Sequence, residues 1–179
     1  MSAFFTHYLK DMARHIQDID PELLLDISNK ILSIKDTVNK VHIFGNGGSA
    51  GIASHVAVDM TKNAGIATTT YHDPGLITCF ANDYGYEHWV ERAIEFYAQS
   101  GDLVILISSS GNSMNMVNGA NKAKALGLHT ITFSGFGKDN KLRAIGDQNV
   151  YIENDQYNIV EMSHNIWLLA LVDYIIDQN

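Results

Sequence analysis

Apolar positions along this chain fall into short continuous runs separated by longer amphipathic segments. Four runs rich in branched residues predict buried strands: "KVHIFG" (40–45), "LVILIS" (103–108), "HTITFS" (129–134) and "NVYIE" (149–153). Helical segments separate the first three, a pattern typical of parallel strands that are covered on both faces. We therefore predict an α/β fold with a doubly wound parallel sheet.

The helical segments lie at both ends of the chain and between the strands. Residues 1–39 predict two N-terminal helices, the second capped by Asp20 and begun by Pro21. Further along, the patterns predict helices at about 51–63 and 85–98, a turn at "DPGL" (73–76) and a long C-terminal helix from 158 to 179. This last helix is apolar on most of its faces, so we expect it to be buried in a subunit interface.

Length and charge narrow the classes of function. With 179 residues, 46% of them hydrophobic, the chain predicts a single domain, 1–179. A net charge of -8 disfavours nucleic acid as a direct partner, although backbone dipoles can still bind an anionic small molecule. A single cysteine, Cys79, and no signal-peptide pattern favour a cytoplasmic location. We expect no membrane span, because no run of about 18 apolar residues is free of charge.

Two polar loops follow predicted strands and open predicted helices. In "GNGGS" (45–49) the glycines permit a sharp turn and let backbone amides approach an anion, while a tight turn without a ligand is the plain alternative. In "SSSGNS" (108–113) four hydroxyls and several amides can form a neutral phosphate cradle, although Ser113 can also serve only as a helix N-cap. Open α/β sheets bind ligands at this edge, so the two loops together predict an anion site.

A histidine and a carboxylate come next in the chain. His55 and Asp59 are four residues apart on the helix after the first loop and therefore share a face. Such a pair can supply a general base and an acid, or oxygen and nitrogen ligands for a metal ion. A single helical histidine is more often structural, and the other histidines, including His72, indicate surface or packing positions.

Four segments in this order resemble a sugar isomerase (SIS) domain of the phosphoheptose isomerase type: "FGNGGSAGIASHVAVDM", "ANDYGYEHWVER", "LISSSGNSMNMV" and "VEMSH". The similarity spans about 40–170. It implies a flavodoxin-like sheet and a homotetramer whose active sites lie between subunits, with residues 1–39 at the interface. The implied reaction interconverts sedoheptulose 7-phosphate and a heptose 7-phosphate for cell-surface polysaccharide synthesis.

The resemblance also assigns roles to residues. Those implied to contact the sugar phosphate are Asn46, Gly47, Gly48, Ser49, Asn82, Asp83, Ser108, Ser109, Ser110, Ser113 and Glu161. Zinc is the implied cofactor, with His55, Asp59 and Glu161 as its ligands. Asp59 would be the catalytic base and His164 an acid.

The chain departs from the family pattern at two positions. Asp59 stands where the family has a glutamate, so its carboxylate reaches one methylene less far. Leu169 stands where a distal histidine is expected; His164 either replaces that histidine or is a packing residue, and His55, Asp59 and Glu161 could form a three-ligand site with an open position. Two alternatives therefore stay open: a non-catalytic sugar-phosphate-binding module, like the SIS-fold relatives that bind the replication initiator DnaA, and an isomerase of another phosphosugar.

Overall fold

The computed structural model describes residues 2–178 as alternating helices and strands. The elements are α1 (Ser2–Gln17), α2 (Pro21–Leu32), β1 (Val41–Phe44), α3 (Gly48–Lys62), β2 (Thr68–Thr69), α4 (Pro74–Tyr84), α5 (Trp89–Tyr97), β3 (Leu103–Ser108), α6 (Met114–Ala125), β4 (His129–Ser134), β5 (Gln148–Tyr151) and α7 (Tyr157–Asp177).

The strands form one parallel sheet in the order β2-β1-β3-β4-β5. Strand order reverses between β1 and β3, which is the flavodoxin-like arrangement with its ligand crevice at that point. The predicted α/β doubly wound sheet is confirmed. The sequence did not reveal β2, because two half-buried threonines at a sheet edge carry no apolar run.

Alternate strand residues face two separate helical layers. Val41 and Ile43 of β1 point into a core shared with α2, α3 and α7, whereas Phe44 points into a second core shared with α5 and α6. This alternation is the period-2 geometry of a strand, and burial on both faces explains why the strands are apolar throughout.

The predicted N-terminal helix boundary is correct in detail. The Asp20 side chain accepts a hydrogen bond of 3.0 Å from the Glu22 amide, and Pro21 is the first residue of α2. The cap satisfies one of the amides that every helix leaves unpaired at its start.

The segment "DPGL" begins a helix, so the predicted turn is wrong. Asp73 accepts from the Leu76 amide at 3.1 Å, and Pro74 is the first residue of α4. Aspartate before proline is a helix-start signal as well as a turn signal. The predicted helix at 85–98 is also divided: Gly85, with φ of 92°, ends α4, and a 3₁₀ turn at Tyr86–His88 precedes α5.

The long helix α7 packs mainly inside its own chain. Trp167, Leu168 and Leu171 belong to the core shared with α2 and α3. By length and composition alone it could cross a membrane, but half of its most apolar window is buried by the rest of the chain. We therefore describe α7 as a core helix, and only a minority of its large apolar side chains, such as Met162 and Ile166, remain exposed for an interface.

Candidate functional site

The glycine turn at the end of β1 lies on one side of the β1–β3 crevice. Gly47 has φ of 53° and caps α3, whose first two residues are Gly48 and Ser49. A side chain at Gly45 would overlap the backbone of Ser49, so the turn requires glycine there. The turn brings Asn46 and the unpaired first amides of α3 to the crevice, as an anion site needs.

The serine loop at the end of β3 forms the other side of the crevice. Ser108 and Ser109 are buried, and the Ser108 hydroxyl donates to the Ser113 hydroxyl at 3.1 Å. Ser113 occupies the N-cap position of α6 but makes no side-chain hydrogen bond to the helix backbone. Its hydroxyl therefore faces the loop, while Ser110 lies at the tip and accepts from the Asn112 amide at 3.2 Å.

Glu161 of α7 contacts both loops. The Ser109 hydroxyl donates to its Oε1 atom at 3.4 Å, and a side chain at Gly48 would overlap its carboxylate. A carboxylate at the start of α3 is favoured by the helix dipole. The structure thus brings the predicted residues Gly48, Ser109 and Glu161 together in one place.

Asn46 is held by two residues that the sequence did not indicate. Its amide exchanges two hydrogen bonds with the Asn115 amide, at 3.0 and 2.8 Å, and its oxygen also accepts from the Tyr86 hydroxyl at 3.0 Å. The predicted contacts Asn82 and Asp83 are exposed at the end of α4, close in sequence to Tyr86. Asn115 and Tyr86 lie within two of the quoted segments, but no local pattern distinguishes them there, because they meet Asn46 only through the fold.

His72 supports the glycine turn from beneath. The Gly45 amide donates to its Nε2 atom at 3.3 Å, and burial lowers the pKa of His72, so the ring is neutral near pH 7. Its Nδ1 atom has no hydrogen-bond partner among the described residues. No pattern in the sequence distinguishes this histidine from the other scattered ones.

Comparison with known proteins decides the family, since residues 5–135 match the SIS domain. The chain belongs to the SIS domain family. It is 35% identical over 179 residues to a probable phosphoheptose isomerase of Thermoplasma acidophilum, with 96% of each chain covered. It is also 35% identical to the phosphoheptose isomerase of Fusobacterium nucleatum, over 82% of this chain and 78% of that one.

Solved structures share the SIS fold of this chain. The phosphoheptose isomerase GmhA from Neisseria gonorrhoeae has a TM-score of 0.87 and 25% identity, with 97% of this chain and 96% of that chain covered. A phosphoheptose isomerase from Francisella tularensis has a TM-score of 0.89 at 21% identity and shows the shared fold. The family resemblance predicted from the four segments is confirmed.

The His55–Asp59 pair of this SIS domain does not belong to the group of residues that lines the β1–β3 crevice. The two side chains are 3.2 Å apart, His55 Nε2 to Asp59 Oδ2, on a flank of α3 beside its buried face, where His55 is exposed and Asp59 half-buried. Asn63 donates to Asp59 at 3.3 Å. Within residues 2–178, no three His, Cys, Asp or Glu side chains come together to hold a metal. A single chain therefore does not fit the zinc site that the resemblance implies, and Glu161 is not grouped with this pair.

His164 and Leu169 of α7 contribute to packing. His164 is fully buried, its Nε2 atom donates to the Ser134 carbonyl at 3.3 Å, and its ring lies edge-on to Phe133. Leu169 packs against the same core. This placement does not fit the predicted role of His164 as a proton carrier, because a buried ring bound to the backbone cannot meet substrate in the crevice. It fits the packing alternative.

Proposed function

We propose that this SIS protein is a cytoplasmic phosphoheptose isomerase that interconverts sedoheptulose 7-phosphate and a heptose 7-phosphate for cell-surface polysaccharide synthesis. The names of its relatives support this substrate class. The observation that carries the proposal is Glu161, which touches both the glycine turn and the serine loop at the β1–β3 crevice. A carboxylate between two anion-binding loops is suited to a ligand with a phosphate and several hydroxyls.

The serine loop is the proposed phosphate site. Ser108, Ser109, Ser110 and Ser113 place hydroxyls around the start of α6, where backbone amides and the helix dipole also favour an anion. No lysine or arginine is required, which reconciles a phosphate ligand with the net charge of -8.

The glycine turn and Glu161 are proposed to hold the sugar end of the substrate. Asn46 and the first amides of α3 donate hydrogen bonds, and the Glu161 carboxylate accepts them from sugar hydroxyls. Asn82 and Asp83 are exposed beside Tyr86 and complete the set of sugar contacts.

The proposed reaction moves one proton between carbon atoms and one between oxygen atoms. From ketose to aldose, a base takes a proton from C1 and the oxygen on C2 is protonated, which gives an enediol. The C1 hydroxyl then loses its proton and C2 gains one, so the atoms balance. We assign the base role to Asp59 beside His55; no step is assigned to His164.

The position of His55 and Asp59 on the flank of α3 makes an assembly part of this proposal. His55 and Asp59 lie outside the β1–β3 crevice of their own chain. A substrate can therefore contact this pair and a β1–β3 crevice together only where two subunits adjoin. We propose a homotetramer, supported by exposed apolar side chains on α1 and α7. Zinc belongs to the proposal as a property of that assembly, in which His55 and Asp59 would supply two of its ligands.

An activity assay tests the proposal. Purified protein is incubated with sedoheptulose 7-phosphate, with and without zinc, and aldoheptose phosphate formation is followed while bound metal is measured by mass spectrometry. Asp59→Asn and Glu161→Gln should each lower kcat/KM by about 100-fold or more. No turnover in either condition would remove the enzyme claim for this substrate.

The second candidate function is a sugar-phosphate-binding module without catalysis. Leu169, partly buried where a histidine was expected, and the lack of a metal-ligand group within residues 2–178 favour it. Calorimetric binding of sedoheptulose 7-phosphate without turnover would support this function over the first. Turnover of a different phosphosugar would instead support the remaining alternative, an isomerase of another phosphosugar.

A further inference from the structure

A pair of asparagines joins the two sides of the ligand crevice. Asn46 follows β1, and Asn115 is the second residue of α6, which follows the neighbouring strand β3. Asn46 Nδ2 donates to Asn115 Oδ1 at 3.0 Å, and Asn115 Nδ2 donates to Asn46 Oδ1 at 2.8 Å. Asn115 is only 3% exposed, so this pair is shielded from water on the side of α6.

Tyr86 makes a third hydrogen bond to the same amide. Its hydroxyl donates to Asn46 Oδ1 at 3.0 Å, and its side chain is about half exposed at the mouth of the crevice. Tyr86 lies in the 3₁₀ turn that follows Asn82 and Asp83. The network therefore links the glycine turn, the start of α6 and the segment after α4.

Counting donors and acceptors on Asn46 leaves one free group. A carbonyl-type oxygen accepts two hydrogen bonds and an amide nitrogen donates two. Both acceptor positions of Oδ1 are used by Asn115 and Tyr86, and one hydrogen of Nδ2 is used by Asn115. Only one N–H group of Asn46 remains for a ligand.

We propose that Asn115 and Tyr86 are positioning residues that fix the Asn46 amide as a hydrogen-bond donor to the substrate. The inference rests on the proposed function for the identity of the substrate. A single fixed N–H meets an oxygen that carries negative or partial negative charge, such as the carbonyl oxygen of the sugar or the enediol oxygen formed from it. A preorganised donor stabilises that charge more than a freely rotating amide does.

The two residues do different work in this arrangement. Asn115 orients the plane of the Asn46 amide through two hydrogen bonds. If position 115 served only for packing under α6, an apolar residue would be sufficient there. Tyr86 fills the second acceptor position of Oδ1, so a substrate hydroxyl cannot donate there. Asn115 therefore governs the direction of the free N–H, and Tyr86 governs which substrate oxygens Asn46 can bind.

Kinetics of matched variants test the inference. Tyr86→Phe removes one hydroxyl and should lower kcat/KM about 10-fold. Asn115→Asp keeps the shape of the side chain but replaces its amide with a carboxylate. The Asn46 amide can donate to only one of the two carboxylate oxygens, and its own oxygen then faces the other. We therefore expect kcat/KM to fall about 100-fold, mainly in kcat. Asn121→Asp is the control, because Asn121 lies on the same helix, is exposed and is not part of the Asn46 network. It should change kcat/KM less than about twofold.

A double-mutant cycle separates positioning from general loosening of the fold. In an Asn46→Ala background, Tyr86→Phe should cause no further loss, because the amide that it orients is absent. A purely structural role would give the same loss with or without Asn46 and would lower the melting temperature in parallel. Two results would overturn the inference while leaving the proposed reaction intact. One is additive losses of kcat/KM in the double variant, and the other is a control variant whose kcat/KM falls as far as that of Asn115→Asp.

Failure of the proposed isomerase function is distinguishable from failure of the positioning role. If the wild-type protein binds sedoheptulose 7-phosphate without turnover, the isomerase claim fails, and the same cycle is measured on the dissociation constant by calorimetry. Non-additive weakening there supports the positioning role, and additive weakening overturns it. If the wild-type protein neither binds nor converts this sugar phosphate, both the function and the inference are overturned.

Discussion

At the scale of single residues, the close approach of Gly48 to Glu161 gives the site its shape. The carboxylate occupies the space that any side chain at position 48 would fill, and it also accepts from Ser109. The glycine is therefore needed for room, since its own backbone is ordinary helix. The position of a reacting or orienting group must hold to a fraction of an ångström.

Gly48→Ala should displace the Glu161 carboxylate and lower kcat/KM on sedoheptulose 7-phosphate by about 100-fold. The matched control is Gly51→Ala on the same helix, where nothing lies within 4 Å of the added methyl group. This control should keep its activity and gain about 0.5–1 kcal/mol of stability from the better helix former. Steady-state kinetics and thermal melting check both, and full activity in Gly48→Ala would contradict the importance of this carboxylate position.

At the scale of elements, a buried polar network joins β1 to β3 below the crevice. His42 Nε2 lies 2.7 Å from Asp102 Oδ2, its Nδ1 lies 2.9 Å from the Tyr71 hydroxyl, and the imidazole and carboxylate are both fully buried. Burial by itself raises the pKa of Asp102, but hydrogen bonds from His42 and from backbone amides lower it overall. The network fixes the start of β3 against β1, which sets the relative position of the two ligand loops.

Asp102→Asn should lower the free energy of unfolding by about 3 kcal/mol, because it leaves a buried histidine without its charged partner. Asp147→Asn is the control: Asp147 also accepts from a backbone amide, that of Thr130 at 2.8 Å, but its side chain is 48% exposed. The control should lose less than about 1 kcal/mol. Denaturant unfolding at equal protein concentration measures the difference, and equal losses would refute the special role of the buried pair.

Helix α7 contributes a pH dependence through His164. Burial lowers the pKa of His164 to about 4 from an ordinary 6.5, so between these values the unfolded chain binds a proton that the folded chain does not. Stability is intact above pH 6.5 and falls as the pH drops towards 4, by about 3 kcal/mol from this group. Replacing the ring with an apolar side chain of similar size removes this contribution.

His164→Leu should therefore have a flatter unfolding profile than the wild-type protein between pH 7 and pH 4. The difference between the two proteins isolates His164 from His42, Asp102 and other groups that titrate in the same range. Unfolding by urea at several pH values gives the measurement. Parallel profiles would show that His164 takes up its proton without opening the fold.

At the scale of the whole molecule, exposed apolar side chains indicate surfaces for assembly. Phe4, Phe5 and Leu9 of α1 are each about two-thirds exposed, at 65%, 63% and 65%. Phe4 packs its ring against Phe5 and Tyr8, so these side chains form one continuous patch. Covering such a patch would stabilise an assembly, because each large aromatic ring gains about 2–3 kcal/mol when it leaves water.

Phe5→Ser combined with Leu9→Ser should shift the protein towards smaller species, as measured by light scattering after size-exclusion chromatography. Val38→Ser is the control, because Val38 is 86% exposed in a loop and is not part of the α1 patch. The control should keep the wild-type mass. An unchanged mass in the double variant would exclude α1 from the main interface.

The sequence by itself determined four of the five strands and the position of both loops. Continuous branched runs predict parallel strands because both faces of such strands are buried, and glycine- and serine-rich segments after them mark the crevice edge. Asp20 and Pro21 predicted a helix start through local hydrogen bonding alone. These features depend on short-range geometry, which a sequence pattern records directly.

Only the tertiary structure decided which side chains meet. Asn115 and Tyr86 reach Asn46 across 69 and 40 positions of the chain, and Glu161 reaches Ser109 across 52, so no local pattern could pair them. The same applies to His164, whose histidine chemistry suggested a proton carrier until the fold placed it against Phe133 in the core. Burial and long-range contact depend on how the elements pack, and packing is a property of the whole chain.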